Sequence, residues 1–244
     1  VCIILLVLNG LFLLKMPFPD EDSKAAEKEG KEVQTTVFKS KPKMQIEGVA
    51  FVIYGFISQA TFYLISQYIG IYGQEVASMT ENAAKLLVSY YSTGSLACVA
   101  VTAVVAAKVR PVNLILPYTL ASFVSITAMW LFPTPAVLKV GAVCVGFFAA
   151  GGVMQLGLTV MGEMFPAGKG TITGIFYTFG SIASFVIPVV SGKIASSNPR
   201  GIMLFDTIIA GIGFVLAVVI FIRYRQTVDT TPEKNKGGMV SEAS

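Results

Sequence analysis

Residues 137–170 read VLKVGAVCVGFFAAGGVMQLGLTVMGEMFPAGKG, and after Lys139 the stretch carries no charge until Glu163. A helix needs about 20 predominantly apolar residues to cross about 30 Å of hydrocarbon, and this run exceeds that length. It also stops abruptly. A carboxylate, a proline and a lysine set among glycines are what a helix needs in order to end at a water interface and turn back. Pro166 cannot continue the hydrogen-bond ladder, and Gly168 and Gly170 allow a sharp reversal.

Five further stretches meet the same length criterion, at 47–72, 83–107, 111–132, 171–196 and 202–222. The composition agrees: 54% of the 244 residues are hydrophobic, 13% are charged, histidine is absent and the mean hydropathy is +0.72. The expected fold class is all-α, a polytopic membrane protein whose six helices occupy residues 46–225. Residues 1–14 form a shorter apolar run that ends in Lys15 and "MPFPDED", so residues 1–15 read as the last part of a preceding membrane helix. Residues 16–45 are rich in Lys, Glu, Asp and Ser and bury too little apolar surface to offset their ordering entropy; they are expected to be a disordered linker, and residues 226–244 a tail of similar character.

The basic residues orient the spans. With the linker cytoplasmic, fourteen of the eighteen Lys and Arg fall on the cytoplasmic side, and only Lys85, Lys139, Lys193 and Arg200 fall outside. That bias satisfies the positive-inside rule and puts linker, tail and the "PAGKG" loop on one face. The expected location is therefore integral and multi-pass, in the plasma membrane, with linker and C-terminus cytoplasmic.

Several chemistries lack their residues. There is no His, no metal-spaced Cys set, no nucleophile elbow and no phosphate-cradling loop, so no enzyme activity, metal or cofactor is expected. Cys2, Cys98 and Cys144 lie in apolar stretches and read as small hydrophobic side chains. The lysines are not gathered into a stripe that would bind nucleic acid.

Polar side chains inside the spans are the candidates for recognition. "FISQATFYLISQY" (56–68) places Gln59, Tyr63 and Gln67 at i, i+4 and i+8, along one stripe of a helix. Amides in hydrocarbon need partners, so this stripe is expected to face a cavity or other helices. In "GFFAAGGVMQLG" (146–157) three glycines weaken the helix that Gln155 then marks with a polar group, as in a helix that bends. Tyr177 heads a stripe with Ser181 and Ser184 before Pro188, whose ring is expected to kink that helix. Glu47, Glu163 and Asp206 are the acidic groups within the spans, each read as lying near a span end within reach of water. The spans at 111–132 and 202–222 read as peripheral and lipid-facing.

The segment "GEMFPAGKGTITGI" (162–175), a helix ending in Gly-Glu-x-x-Pro before a basic-Gly pair and a glycine-bearing span, resembles the loop between the tenth and eleventh helices of major facilitator superfamily transporters, particularly sugar porters. Lys169 stands where those members commonly carry arginine, and "AAKVRPVN" (106–113) keeps two basic residues of a longer family loop pattern. In this resemblance the whole chain corresponds to the second half of a twelve-helix transporter, a bundle of two inverted three-helix repeats. Its implied partners are a small-molecule solute, the lipid bilayer and a six-helix N-terminal half. The resemblance implies a secondary active or facilitative transporter of a small polar, sugar-like or otherwise neutral solute, working by alternating access. Gln59, Tyr63, Gln67, Gln155 and Tyr177 would contact the solute, while Glu163, Lys169 and Arg110 would form a cytoplasmic gate. An exporter of hydrophobic compounds and a non-transporting receptor or scaffold are the alternatives.

Overall fold

A computed structural model describes residues 47–106, 109–165 and 169–228. The expected end of a preceding helix, the linker and the tail beyond residue 228 lie outside the described residues. Helix α1 runs Val49–Glu75, α2 Glu81–Ala106, α3 Pro111–Leu131 and α4 Pro135–Val145. A π-helical segment, Gly146–Val153, joins α4 to α5, Met154–Met164; α6 (Lys169–Ser197) and α7 (Pro199–Thr227) complete the order. With α4, the π segment and α5 taken as one span, six helices among the described residues are long and apolar enough to cross a membrane.

The helix starts are written in the sequence. Three open on proline, whose missing N–H is one the first turn does not need, and whose ring forces the preceding residue out of the helical region. Thr134 accordingly sits at φ −98°, ψ 151° and accepts from Val137 N at 3.3 Å. Asn198 sits at φ −155°, ψ 97° and accepts from Arg200 N at 3.1 Å, and Arg110 precedes Pro111 at ψ 132°. Both side-chain caps satisfy a donor that the helix itself leaves open.

Packing follows an exchange pattern. In one direction α1 packs on α6 and α7; in the other, the α4–π–α5 span packs on α2 and α3, and α3 packs on α7. Swapping the first three spans for the last three maps this pattern onto itself, consistent with a bundle built of two three-helix repeats. Two close crossings carry it. A Cβ on Gly146 would overlap the Tyr91 carbonyl oxygen, and one on Gly94 would overlap that of Val143, so α2 and the fourth span touch backbone to backbone. At the counterpart crossing of α1 and α6, Gly55 lies under the Phe176 ring, 2.9 Å from where its Cβ would be, and Gly180 approaches the Gly55 carbonyl.

Buried side chains gather towards the two ends. Phe51, Val112, Met164, Ile172, Phe176 and Tyr224 pack where α1 begins, whereas Ile69, Tyr72, Leu87, Met129, Leu138 and Met203 pack where α1 ends. Neighbouring spans therefore alternate in direction. The α1 span is the axis of the bundle, 56% buried along its apolar window against 28% for α2 and α6.

Two sequence expectations change. Helix α7 is lipid-facing on one side only: Ile208, Ile212, Val215 and Val219 are exposed, but Asp206, Thr207, Ala210, Gly213 and Ala217 are buried. Asp206 is 0% exposed, so the water expected at its helix end does not reach it. Also, α6 runs through Pro188 without interruption. One turn further on, Ser191 Oγ donates to the Ile187 carbonyl at 2.7 Å and is 3.1 Å from the Tyr68 hydroxyl.

Candidate functional site

The candidate gate lies at the end of the bundle where α1 begins. Glu163, in the last turn of α5, accepts a hydrogen bond from the Tyr224 hydroxyl of α7, with Oη 2.8 Å from Oε2. Tyr224 is buried and Glu163 half-buried. The exposed Arg110, leading into α3, lies within electrostatic reach of both. The Arg223 guanidinium approaches Glu47 Oε1 at 4.0 Å, and Arg225 lies over the Phe221 ring at 4.6 Å. Four elements thus meet at one end around alternating charges. The loop 166–168 and the Lys169 side chain lie outside the described residues. Tyr224 carries no signal in the sequence, because nothing in "IRYRQ" indicates which side of α7 faces α5.

The stripe on α1 is distributed rather than gathered. Gln59 is half-buried, with Nε2 3.5 Å from Ser184 Oγ of α6; Tyr63 is half-buried against the Ala60–Leu64–Ala183–Ile187 cluster; Gln67 is exposed. Gln155 and Tyr177 are exposed on α5 and α6. The three carrier helices converge where Gly157 meets the Tyr54 ring and Gly180 lies 3.9 Å from Gln59 Cβ and 3.8 Å from Met154 Cε, measured from an ideal Cβ. Gln59, Gln155 and Tyr177 therefore flank one junction of helices, across which Gln59 reaches Ser184, while Gln67 lies two turns further along α1.

A second polar stripe, missed in the sequence, faces the inside of the bundle. Tyr54, Ser58 and Thr61 recur at i, i+4 and i+7 in the same stretch of α1 and are all buried. The Tyr54 and Thr119 hydroxyls are 3.0 Å apart, linking α1 to α3, and Thr119 Oγ1 also lies 2.6 Å from the Ile115 carbonyl it donates to. Ser58 Oγ donates to the Tyr54 carbonyl at 2.7 Å. With Ser122, Ala210 and Gly213 these residues line a cavity of about 20 Å³, room for about one water. The signal is present in the spacing, but amides outrank hydroxyls when polar groups are weighed by type alone.

This bundle of alternating apolar helices, crossed through glycines and furnished with neutral hydrogen-bonding side chains, is that of a multi-pass membrane protein. The family model of the Major Facilitator Superfamily matches residues 1–186 and again 78–242, and the chain belongs to that superfamily. It is similar to the inner membrane transport protein YdiM of Escherichia coli (strain K12), 41% identical over 223 residues that cover 91% of this chain and 54% of that protein. YdiN, an inner membrane transport protein of the same organism, is 36% identical over 222 residues, covering 91% of this chain and 52% of that protein. The MFS-type transporter YfkL of Bacillus subtilis (strain 168) is 37% identical over 222 residues, covering 90% and 55%. The chain spans about half the length of the curated relatives it matches.

Proposed function

We propose that this chain supplies the C-terminal six-helix bundle of a secondary transporter that moves a small, neutral, hydrogen-bonding solute by alternating access, together with an N-terminal six-helix bundle. The observation that carries the reading is the placement of Gln59, Gln155 and Tyr177 around one junction of α1, α5 and α6, all with partly or fully exposed side chains on predominantly apolar spans. Amides and a phenol donate and accept hydrogen bonds without the desolvation cost of a buried charge, which suits a polyol or sugar-like solute better than an organic anion. Superfamily membership supports the rocking of two bundles as the motion. The glycine crossings join the two repeats of this bundle to each other, and the Glu163–Tyr224 contact gives the inner end a bond to make and break. The linker and the end of the bundle that flanks it are assigned to the cytoplasm on the basic-residue bias.

The test is solute counterflow in liposomes carrying this chain with the six-span bundle that completes it. Exchange of neutral hydroxyl-rich solutes supports the reading. Transport confined to hydrophobic compounds would replace it with the exporter, and absence of any exchange would replace it with a receptor or scaffold.

A further inference from the structure

Asp206 is the feature of the interior that the transport reading leaves unused. It is 0% exposed, seven residues into α7, about 10 Å along the axis from the Pro199 end at 1.5 Å per residue. Neither carboxylate oxygen has a hydrogen-bond partner among the described residues, and neither does the buried Tyr91 hydroxyl of α2, which lies within its electrostatic reach. Thr61 of α1 presents its hydroxyl to Asp206 as a neighbouring group without closing a bond. Thr61 also lines the hydroxyl-walled cavity, as do Ala210 and Gly213, which come after Asp206 at i+4 and i+7 on the same face of α7. The carboxyl therefore sits one turn beyond a space that can hold water.

Among the described residues no cation balances it. Helix α3 contains no charged residue, and Glu75, Glu81, Lys85, Lys139 and Lys193 on α1, α2, α4 and α6 are exposed near helix ends, as is Arg200 on α7 itself. The buried tyrosines Tyr54, Tyr72 and Tyr118 spend their hydroxyls on Thr119, the Met129 carbonyl and Thr102. A bare carboxylate in such a place is costly, and intramembrane acids of this kind mark ion and proton pathways. A sodium ion would require a shell of several oxygens around the carboxylate, and among the described residues the hydroxyls that interact with it are those of Thr61 and Tyr91.

We propose that Asp206 is an exchangeable proton site: a water-borne proton forms the O–H bond at one carboxylate oxygen while the site is closed, and returns to water when α1 and α7 part at Thr61. As a coupling site this rests on the transport reading; as a proton site it does not. The experiment is infrared difference spectroscopy of the purified chain in lipid across a pH series, in water and in deuterium oxide, with and without sodium chloride. The expected result is a protonated-carboxyl carbonyl component, distinct from the bands of the other Asp and Glu residues, that grows on acidification, shifts on deuteration, ignores sodium, and is missing from Asp206→Asn. Thr61→Val should retain the band but displace it. An unaltered band in Asp206→Asn overturns the proposal, as does a band that does not shift on deuteration, which would mean a structural acid. A band removed by sodium overturns it in favour of a metal-ion site. Should Asp206→Asn fail to fold, a band undisplaced in Thr61→Val overturns it as well.

Discussion

The Tyr224 hydroxyl donates to Glu163 Oε2 at 2.8 Å, tying the last turn of α5 to the last turns of α7. The bond joins two helices that the fold otherwise keeps apart, since α7 packs chiefly on α1 and α3. It also places a carboxylate beside Arg110 without requiring a salt bridge to it. In the proposed gate, such a contact would bias which of two arrangements the bundle occupies more than whether the bundle folds.

The first prediction rests on that bond. A hydrogen bond to a charged acceptor in a half-buried setting is worth about 1–2 kcal/mol, roughly five- to thirtyfold in a population ratio. Tyr224→Phe and Glu163→Gln should each move the balance of inward- and outward-open states by that factor, and the double variant by no more than either alone. Accessibility of single cysteines at the two mouths of the assembled transporter measures it. Independent, additive shifts would mean that the two residues act separately.

A second prediction concerns the helix crossings. At Gly146 an added methyl meets the backbone of Tyr91, which cannot swing aside, whereas at Gly55 it meets the Phe176 ring, which can; at Gly192 it meets nothing within 4 Å. Gly146→Ala should therefore lower stability most, by about 1–3 kcal/mol as overpacking does, Gly55→Ala less, and Gly192→Ala little. Thermal unfolding in detergent gives the order. A similar gain at all three positions, as the better helix propensity of alanine alone would give, would show that propensity and not crossing distance dominates.

Much of the fold was legible because its signals are long. Twenty apolar residues survive any error of a few residues, and the six spans fall within a few residues of those expected. Facing was not legible. Gln59 and Ser58 are adjacent in sequence, yet one looks towards α6 and the other into the interior, and only the neighbouring helices decide which. Asp206 shows the same limit. Its distance from the helix end suggested contact with water, but α1 and α3 cover that face of α7, and burial depends on what lies opposite. The Glu163 partner was hidden for a further reason, since it comes from 61 residues away on a helix whose rotation no periodicity in its aliphatic sequence reveals.

A third prediction addresses topology. If the basic-residue bias sets the orientation, cysteines at Ser78, Thr134 and Asn198, in the turns after α1, α3 and α6, react with a membrane-impermeant reagent from outside, and one at Val109 reacts from the cytoplasmic side. The alternation of helix ends in the packing makes the four sites a single test, because reversing one without the others breaks the bundle. Labelling of Ser78 and Val109 from one face would sink the assignment.

The last prediction bears on the solute. Gln59 spans the α1–α6 junction, and its 3.5 Å approach to Ser184 is too long to be a strong bond, so its amide is available to a solute at low cost. Gln155 and Tyr177 present exposed polar atoms from the two helices on either side. Gln59→Leu and Gln155→Leu should each remove one hydrogen bond from a desolvated solute and weaken binding by about 1–3 kcal/mol, roughly five- to a hundredfold in half-saturation concentration. Tyr177→Phe should do the same where the phenol is the donor, and should do nothing where the ring merely stacks. Gln67, two turns away on α1, is the internal comparison. If the site is centred on the junction, Gln67→Leu should have the smallest effect of the four, whereas a site running along the whole α1 stripe would make it equal to Gln59→Leu. Folding and insertion should be unchanged in all four, because none of these side chains closes a short buried hydrogen bond. Normal binding of every transported solute in all four variants would leave the polar side chains as helix-packing groups and remove the main support for a neutral, hydroxyl-rich solute.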